Sequence, residues 1–322
     1  MDKKLSTSQN LLPHLSDKIF LTDGGIETSL IFLEGIDLPY FASFTLLETR
    51  DGRAKLLDYY RPYAKIAALN GTGFVLESPT WRSNPDWAEK LGYSAEALDN
   101  ANRDAIGAMK ELALEFQTGV SPFAISGCIG PRGDGYVAGN VMSTGEACDY
   151  HARQIEVFCE SGADLVTAVT MTNVPEATGV AIAAKAIGIP CVISFTVETD
   201  GRLPSGVDLG DAIQAVDAAT DGSVAYYMIN CAHPAHFAEV LDQGGEWVKR
   251  ICGIRANASQ MSHEELDAAE ELDSGDPEDL AIRYAAILDA MPWVRVVGGC
   301  CGTDHRHISA ICTTCCGHSQ AA

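Results

Sequence analysis

Eight short apolar runs, each followed by a stretch of helical periodicity, constrain this 322-residue chain more than any other feature. The runs are Ile19–Asp23, Phe74–Glu77, Phe123–Ser126, Leu165–Val169, Cys191–Phe195, Ala225–Asn230, Val248–Ile254 and Val294–Gly298. They are β-branched or continuously apolar rather than alternating, the pattern of parallel strands covered on both faces. Between them, Arg53–Asn70 sets Leu56, Tyr60, Tyr63, Ala67 and their neighbours at helical spacing. Tyr150–Ser161, Pro175–Ile187 and Pro277–Met291 read the same way, the last with Pro277, Glu278 and Asp279 suited to a helix start. Eight strand–helix units in a chain of this length predict an α/β fold, a (β/α)8 TIM barrel. We expect one domain over 1–322, with its core over about 19–311 and a frayed tail over 312–322. A doubly wound open sheet is the alternative, disfavoured because no glycine-rich dinucleotide fingerprint is present. The acidic, polar segment 260–276 is expected to form a surface loop or an exposed helix after the seventh strand.

Charge narrows the function classes. With 44 acidic against 22 basic residues, the formal charge is −22. Such a surface repels phosphate backbones and anionic lipid, so neither nucleic-acid nor membrane binding is expected. Met1-Asp2-Lys3-Lys4 leads into Ser, Thr, Gln and Asn rather than an apolar signal core, which points to a cytoplasmic protein. Eleven cysteines in a cytosolic chain read as metal ligands or catalytic groups where they cluster, and as small core residues where they stand alone.

In a barrel the chemistry lies at the carboxyl ends of the strands. Asp23 ends the first run, Asn230-Cys231 the sixth, and Gly298-Gly299-Cys300-Cys301 the eighth. Adjacent cysteines on a regular strand would face opposite sides, but the flanking glycines let the backbone turn so that both sulfurs can converge. Cys231, two strands away, is placed to complete a set of three thiolates. Three protein ligands with one open position is the arrangement of a catalytic zinc site. The plainer alternative is a glycine-rich turn with two small thiols and a core cysteine at position 231.

Asp23-Gly24-Gly25, Asn230-Cys231 and Gly298-Gly299-Cys300-Cys301-Gly302 together resemble the homocysteine S-methyltransferase family. Gly130-Pro131, Tyr150-His151 with Gln154, and Gly162-Ala163-Asp164 add weaker matches in the same order. The resemblance implies a Zn2+-dependent S-methyltransferase in which Cys231, Cys300 and Cys301 are at once metal ligands and catalytic residues. It further implies a small-molecule thiol acceptor, homocysteine first, that is converted to methionine. The methyl donor is then a small onium compound such as S-methylmethionine, S-adenosylmethionine or a betaine. By the same resemblance Asp23 holds the acceptor's ammonium, whereas the residues alone also suit a turn-capping role. Gly24, Gly25, Thr170 and Asn230, at the same strand ends, are the further substrate-binding candidates.

Two departures from the family's pattern bear on the acceptor. Val169-Thr170 stands where homocysteine users usually carry Glu followed by Thr or an aromatic residue, and Ile254-Arg255-Ala256-Asn257 replaces a Tyr-Pro-Asn stretch. Glu77 is the candidate substitute carboxylate, and Arg255 a candidate partner for an acceptor's own carboxylate. The same zinc chemistry with a different thiol acceptor or methylated substrate, and a non-catalytic zinc- or thiol-binding barrel, are the alternative readings. A zinc hydrolase is disfavoured, because hydrolytic sites use His and carboxylate ligands. Trp81, Trp87 and Tyr136 read either as cation–π faces for an onium donor or as loop aromatics covering the core. Cys312, Cys315, Cys316 and His318 have zinc-knuckle spacing without a second half, and read as a helix end and tail. A homo-oligomer is compatible with this composition.

Overall fold

The computed structural model describes residues 12–316. Its eight strands are β1 (Phe20–Leu21), β2 (Gly73–Glu77), β3 (Phe123–Ile129), β4 (Leu165–Met171), β5 (Cys191–Phe195), β6 (Tyr226–Asn230), β7 (Ile251–Ala256) and β8 (Val296–Gly299). All neighbouring strands pair in parallel, and β8 pairs with β1 at Phe20–Val296 and Leu21–Val297, closing the barrel. This is the (β/α)8 barrel expected from the eight apolar runs.

Each strand feeds a covering helix: Arg50–Asn70, Ala95–Phe116, Thr144–Glu160, Val174–Ile187, Leu209–Thr220, Pro234–Asp242, Pro277–Ala290 and His305–Cys316. Their starts have local causes. Ser143 and Glu146 form a reciprocal capping box, and the Asn173 side chain accepts from the Glu176 backbone N–H at 2.9 Å. Asp276 caps the Pro277–Ala290 helix through the N–H groups of Glu278 and Asp279.

Side-chain alternation divides the barrel interior into levels. Phe20, Val75, Ala124, Leu165, Val192, Tyr226 and Val296 form an apolar floor. Two residues further along four of these strands stand Glu77, Ser126, Thr167 and Ser194, all buried. The interior therefore turns polar towards the carboxyl ends, and this level underlies the candidate site.

Three expectations change. The apolar run at Val248 is a 3-10 turn, Glu246–Arg250, so β7 begins at Ile251. The segment 260–276 is not simply a surface element: it carries the helix His263–Asp267, and His263 is buried. Its polar composition hid this, because one imidazole reaches inward from an otherwise solvated stretch. The tail is not frayed from 312, since the last helix runs through Cys316 with Cys312 buried. His318 lies outside the described residues.

Tyr284 ties this architecture to the chemistry. Its buried hydroxyl accepts from the Ala256 N–H at 2.8 Å and lies against the carbonyls of Ile254 and Gly298, so it clamps β7 to β8 just before Cys300. Tyr284→Phe leaves these backbone groups unpaired and is expected to cost about 1–3 kcal/mol, measured by denaturant unfolding. An unchanged midpoint would show that the clamp does not bear load.

Candidate thiolate site

The ends of β1 and β8 interlock. A Cβ on Gly24 would lie 2.6 Å from the Thr303 carbonyl oxygen, and one on Gly25 would lie 2.6 Å from that of Cys300. Only bare backbone lets the Asp23-Gly24-Gly25 turn nest on the Cys300–Thr303 turn. The Gly25 N–H donates to the Thr303 carbonyl and the Gly299 N–H to the Asp23 carbonyl, both at 3.0 Å.

At this junction the three predicted cysteines come together, their sulfurs within 4.8 Å of one another. Cys231 and Cys300 meet sulfur to sulfur with their Cα atoms 5.4 Å apart, and the Cys301 sulfur lies 3.9 Å from that of Cys231. As thiolates, all three sulfurs are donors that one cation can share. Burial pushes the Cys301 thiol up, against a hydrogen bond from Tyr136 that favours the thiolate. A cluster of three soft donors, with Cys231 buried and Cys300 and Cys301 half-buried, bordered by a cavity rather than a fourth protein ligand, fits a thiophilic cation such as zinc with one open position. Among the described residues no other group of His, Cys, Asp or Glu meets as a set of metal donors.

Cys231 is held by its backbone. Its φ is +53°, and its carbonyl accepts from His263 Nε2 at 2.8 Å and Asn257 Nδ2 at 3.1 Å. Thr170, at the end of β4, has φ +59°, a strained conformation for a β-branched residue. Asn230 sustains it: the Thr170 N–H donates to Asn230 Oδ1, and Asn230 Nδ2 donates to Thr170 Oγ1, each at 2.9 Å. Ser194 Oγ donates to the same Oδ1 at 2.6 Å. Asn230 thus fastens the ends of β4, β5 and β6 beside Cys231.

Asp23, Gly24, Gly25, Glu77, Thr170, Asn230 and the three cysteines all line one cavity, together with Trp81, Cys128, Val169 and Arg255. Arg255 crosses the barrel mouth to bond Asp23 Oδ1 at 2.7 Å, and the Tyr59 hydroxyl donates to Asp23 Oδ2 at 3.1 Å. Burial works against the Arg255 charge, but the Asp23 and Glu77 carboxylates outweigh it and hold the guanidinium protonated. Burial pushes the Glu77 carboxyl up to about 7, although Arg255 and the Ser126 and Thr167 hydroxyls favour its ionised form.

The loop aromatics already have partners within the protein. The Arg82 guanidinium lies 3.9 Å from the Trp81 ring centre and 4.1 Å from that of Trp87, and the Lys90 ammonium is 3.7 Å from the latter. Tyr136 stacks on His263 at 4.1 Å, and its hydroxyl donates to Cys301 Sγ at 3.5 Å. The faces expected to meet an onium donor therefore carry the protein's own groups. His263 and its partner Glu198, at 3.1 Å, are site residues that sequence reasoning missed. The one available signal was the Ser262–Glu265 capping box, which starts a helix at His263.

A closed parallel barrel with converging thiols at the carboxyl ends of its strands defines a class of barrel enzymes that work on sulfur. Residues 20–315 match the family model described as homocysteine S-methyltransferase, and the chain belongs to that family of S-methyltransferases. The homocysteine S-methyltransferase of Escherichia coli K12 is 26% identical, with the match covering 95% of this chain and 98% of that protein. The selenocysteine Se-methyltransferase of Brassica oleracea is 25% identical over 90% of this chain and 87% of that protein. Homocysteine S-methyltransferase 3 of Arabidopsis thaliana is 24% identical, and there the match spans only 50% of the relative's length. The E. coli homocysteine methyltransferase MmuM shares the fold in its metallated form, with TM-score 0.69, 18% identity and coverage of 91% of this chain and 95% of that one. Its oxidized form gives TM-score 0.72, 19% identity and coverage of 96% and 99%. Among the described residues no helix is long and apolar enough to cross a membrane.

Two outcomes are expected. Asp23→Asn and Arg255→Gln should each cost about 3–5 kcal/mol by stranding a buried charge, with the double variant costing less than their sum in a double-mutant cycle. Additive losses would show that the pair is not coupled. The raised Glu77 carboxyl binds a proton more tightly when folded, so its stabilising share is full below its usual value of 4.5 and is lost as pH rises through about 7. Glu77→Gln should flatten the fall in unfolding free energy between these pH values, by on the order of 3 kcal/mol. A parallel pH profile would contradict this.

Proposed function

We propose that this chain, acting as a single barrel domain, transfers a methyl group from a small onium donor to the thiol of homocysteine, yielding methionine. The observation that carries this reading is the convergence of Cys231, Cys300 and Cys301 beside a cavity at the barrel mouth. Zinc held by these three thiolates would supply Lewis-acid activation, lowering the pKa of a bound thiol.

The protein's own groups do the rest. Asn257 and His263 bond the carbonyl of Cys231, which has a left-handed backbone, and Asn230 directs its amide to Cys300 Sγ at 3.9 Å. Tyr136 donates to Cys301 and is itself stacked on His263. Trp81 and Val169 provide apolar wall, which favours collapse of positive charge as the onium gives up its methyl. Asp23, Glu27 and Glu77 against Arg255 leave the cavity lining acidic, suited to cationic substrates. Val169 favours a second reading, the same chemistry on another small thiol, because it presents no charge where the family's homocysteine users carry a carboxylate.

The test begins with reduced protein supplied with zinc and a panel of donors. We expect about one zinc per chain, and methionine from homocysteine with S-methylmethionine, S-adenosylmethionine or a betaine. Cys231→Ser, Cys300→Ser and Cys301→Ser should each lower metal content and reduce turnover more than about 100-fold, with circular dichroism unchanged. Failure to bind zinc after reduction would overturn the proposal. Zinc uptake with homocysteine inert and another thiol methylated would establish the second reading.

A further inference from the structure

The carboxylates that face the cavity are not equivalent. Both oxygens of Asp23 are engaged inside the protein, one by Arg255 and the other by Tyr59. Glu27, half-buried, takes the Ser43 hydroxyl on Oε1 at 2.7 Å. Glu77 differs from both. It is 4% exposed, and its Oε2 is buried without any hydrogen-bond partner.

No Arg255 nitrogen bonds that oxygen: Nη2 bonds Asp23 and the Gly24 carbonyl, and Nε bonds the Gly299 carbonyl. A buried carboxylate oxygen without a donor costs free energy that a ligand can recover. The missing partner must bring an N–H or O–H and, for a carboxylate, preferably a positive charge. A primary ammonium offers three such donors. The onium centre of a sulfonium or quaternary ammonium offers none, so a betaine cannot satisfy this atom, and S-methylmethionine or S-adenosylmethionine would reach it only through the α-ammonium, a case the donor KM in the test below separates.

We propose that Glu77 is the ammonium-binding subsite for the thiol acceptor, and that Arg255, by pairing with Asp23, moves this role away from Asp23. The inference rests on the thiol-acceptor reading above and deepens it: the acceptor is an amino-acid thiol held at its sulfur by the cysteine cluster and at its nitrogen by Glu77. Arg255 then acts through Asp23, whose Oδ1 it occupies. Val169, apolar at the end of β4, presents no rival carboxylate.

The test uses two thiols of the same carbon chain on the reduced, zinc-loaded full chain. Homocysteine carries the amine; 4-mercaptobutyrate lacks it. Calorimetric titration of wild type and Glu77→Gln reads binding without turnover, and 4-mercaptobutyrate binding reports whether the variant is folded. We expect Glu77→Gln to weaken homocysteine about 10- to 100-fold, as loss of one charged hydrogen bond implies, and to leave 4-mercaptobutyrate within about twofold. Equal weakening of both thiols, or none for homocysteine, overturns the subsite. A rise in KM confined to the methyl donor also overturns it and assigns the carboxylate to that substrate. If neither thiol binds the wild type, the acceptor reading itself fails and carries the subsite with it, an outcome distinct from the preceding ones.

Discussion

Closure of the sheet between β1 and β8 is the constraint on which the rest of this structure depends. β1 is only two residues long, yet it joins the first strand to the last and brings Asp23-Gly24-Gly25 against Cys300-Cys301-Gly302-Thr303. The nesting works because two glycines present no side chain where carbonyl oxygens already stand. Sulfur positions follow from it. The Cys300 N–H is bonded to the Ala256 carbonyl of β7, and the Cys301 carbonyl receives the Ala258 N–H, so both cysteines inherit the register of three neighbouring strands.

Above that junction the energetics change character. The apolar floor contributes burial, roughly proportional to the area it removes from water. The level above it holds Glu77, Ser126, Thr167 and Ser194, and polar groups pay there unless they are paired. Most are paired: Ser126 shares a hydrogen bond with Thr167 at 2.8 Å, and Ser194 is tied to Asn230. Arg255 and Asp23 compensate each other as a buried pair, so that removing either one strands the charge of the other. Within this level one buried oxygen is left without a partner, on Glu77, a residue that lines the cavity.

Much of the barrel was legible as a run-by-run pattern, because a strand covered on both faces is apolar along most of its length and so announces itself. Cys191–Phe195 matches its strand residue for residue, while β3 and β4 run beyond their expected ends to Ile129 and Met171. The error at Val248 has a simple cause: an apolar residue in a tight turn and one in a buried strand look alike without periodicity. The convergence of Cys231 with Cys300-Cys301 was legible from the rule that chemistry gathers at strand ends. His263 and Glu198 were not, since a lone histidine in a polar stretch carries no signal of where its ring points. Trp81, Trp87 and Tyr136 were visible as aromatics, but not as aromatics already facing Arg82, Lys90 and His263.

The amino-acid sequence by itself determined the barrel class, the strand-end location of the chemistry and the three thiols, because these follow from local pattern and from spacing along one chain. Tertiary structure alone decided which charges meet. Arg255 and Asp23 are 232 residues apart in sequence, and only barrel closure brings them within 2.7 Å. That pairing occupies Asp23 and leaves an oxygen of Glu77 free, and no local propensity encodes either result. A side chain's availability depends on every neighbour the fold supplies, and that set exists only once the β8 register against β1 has been made.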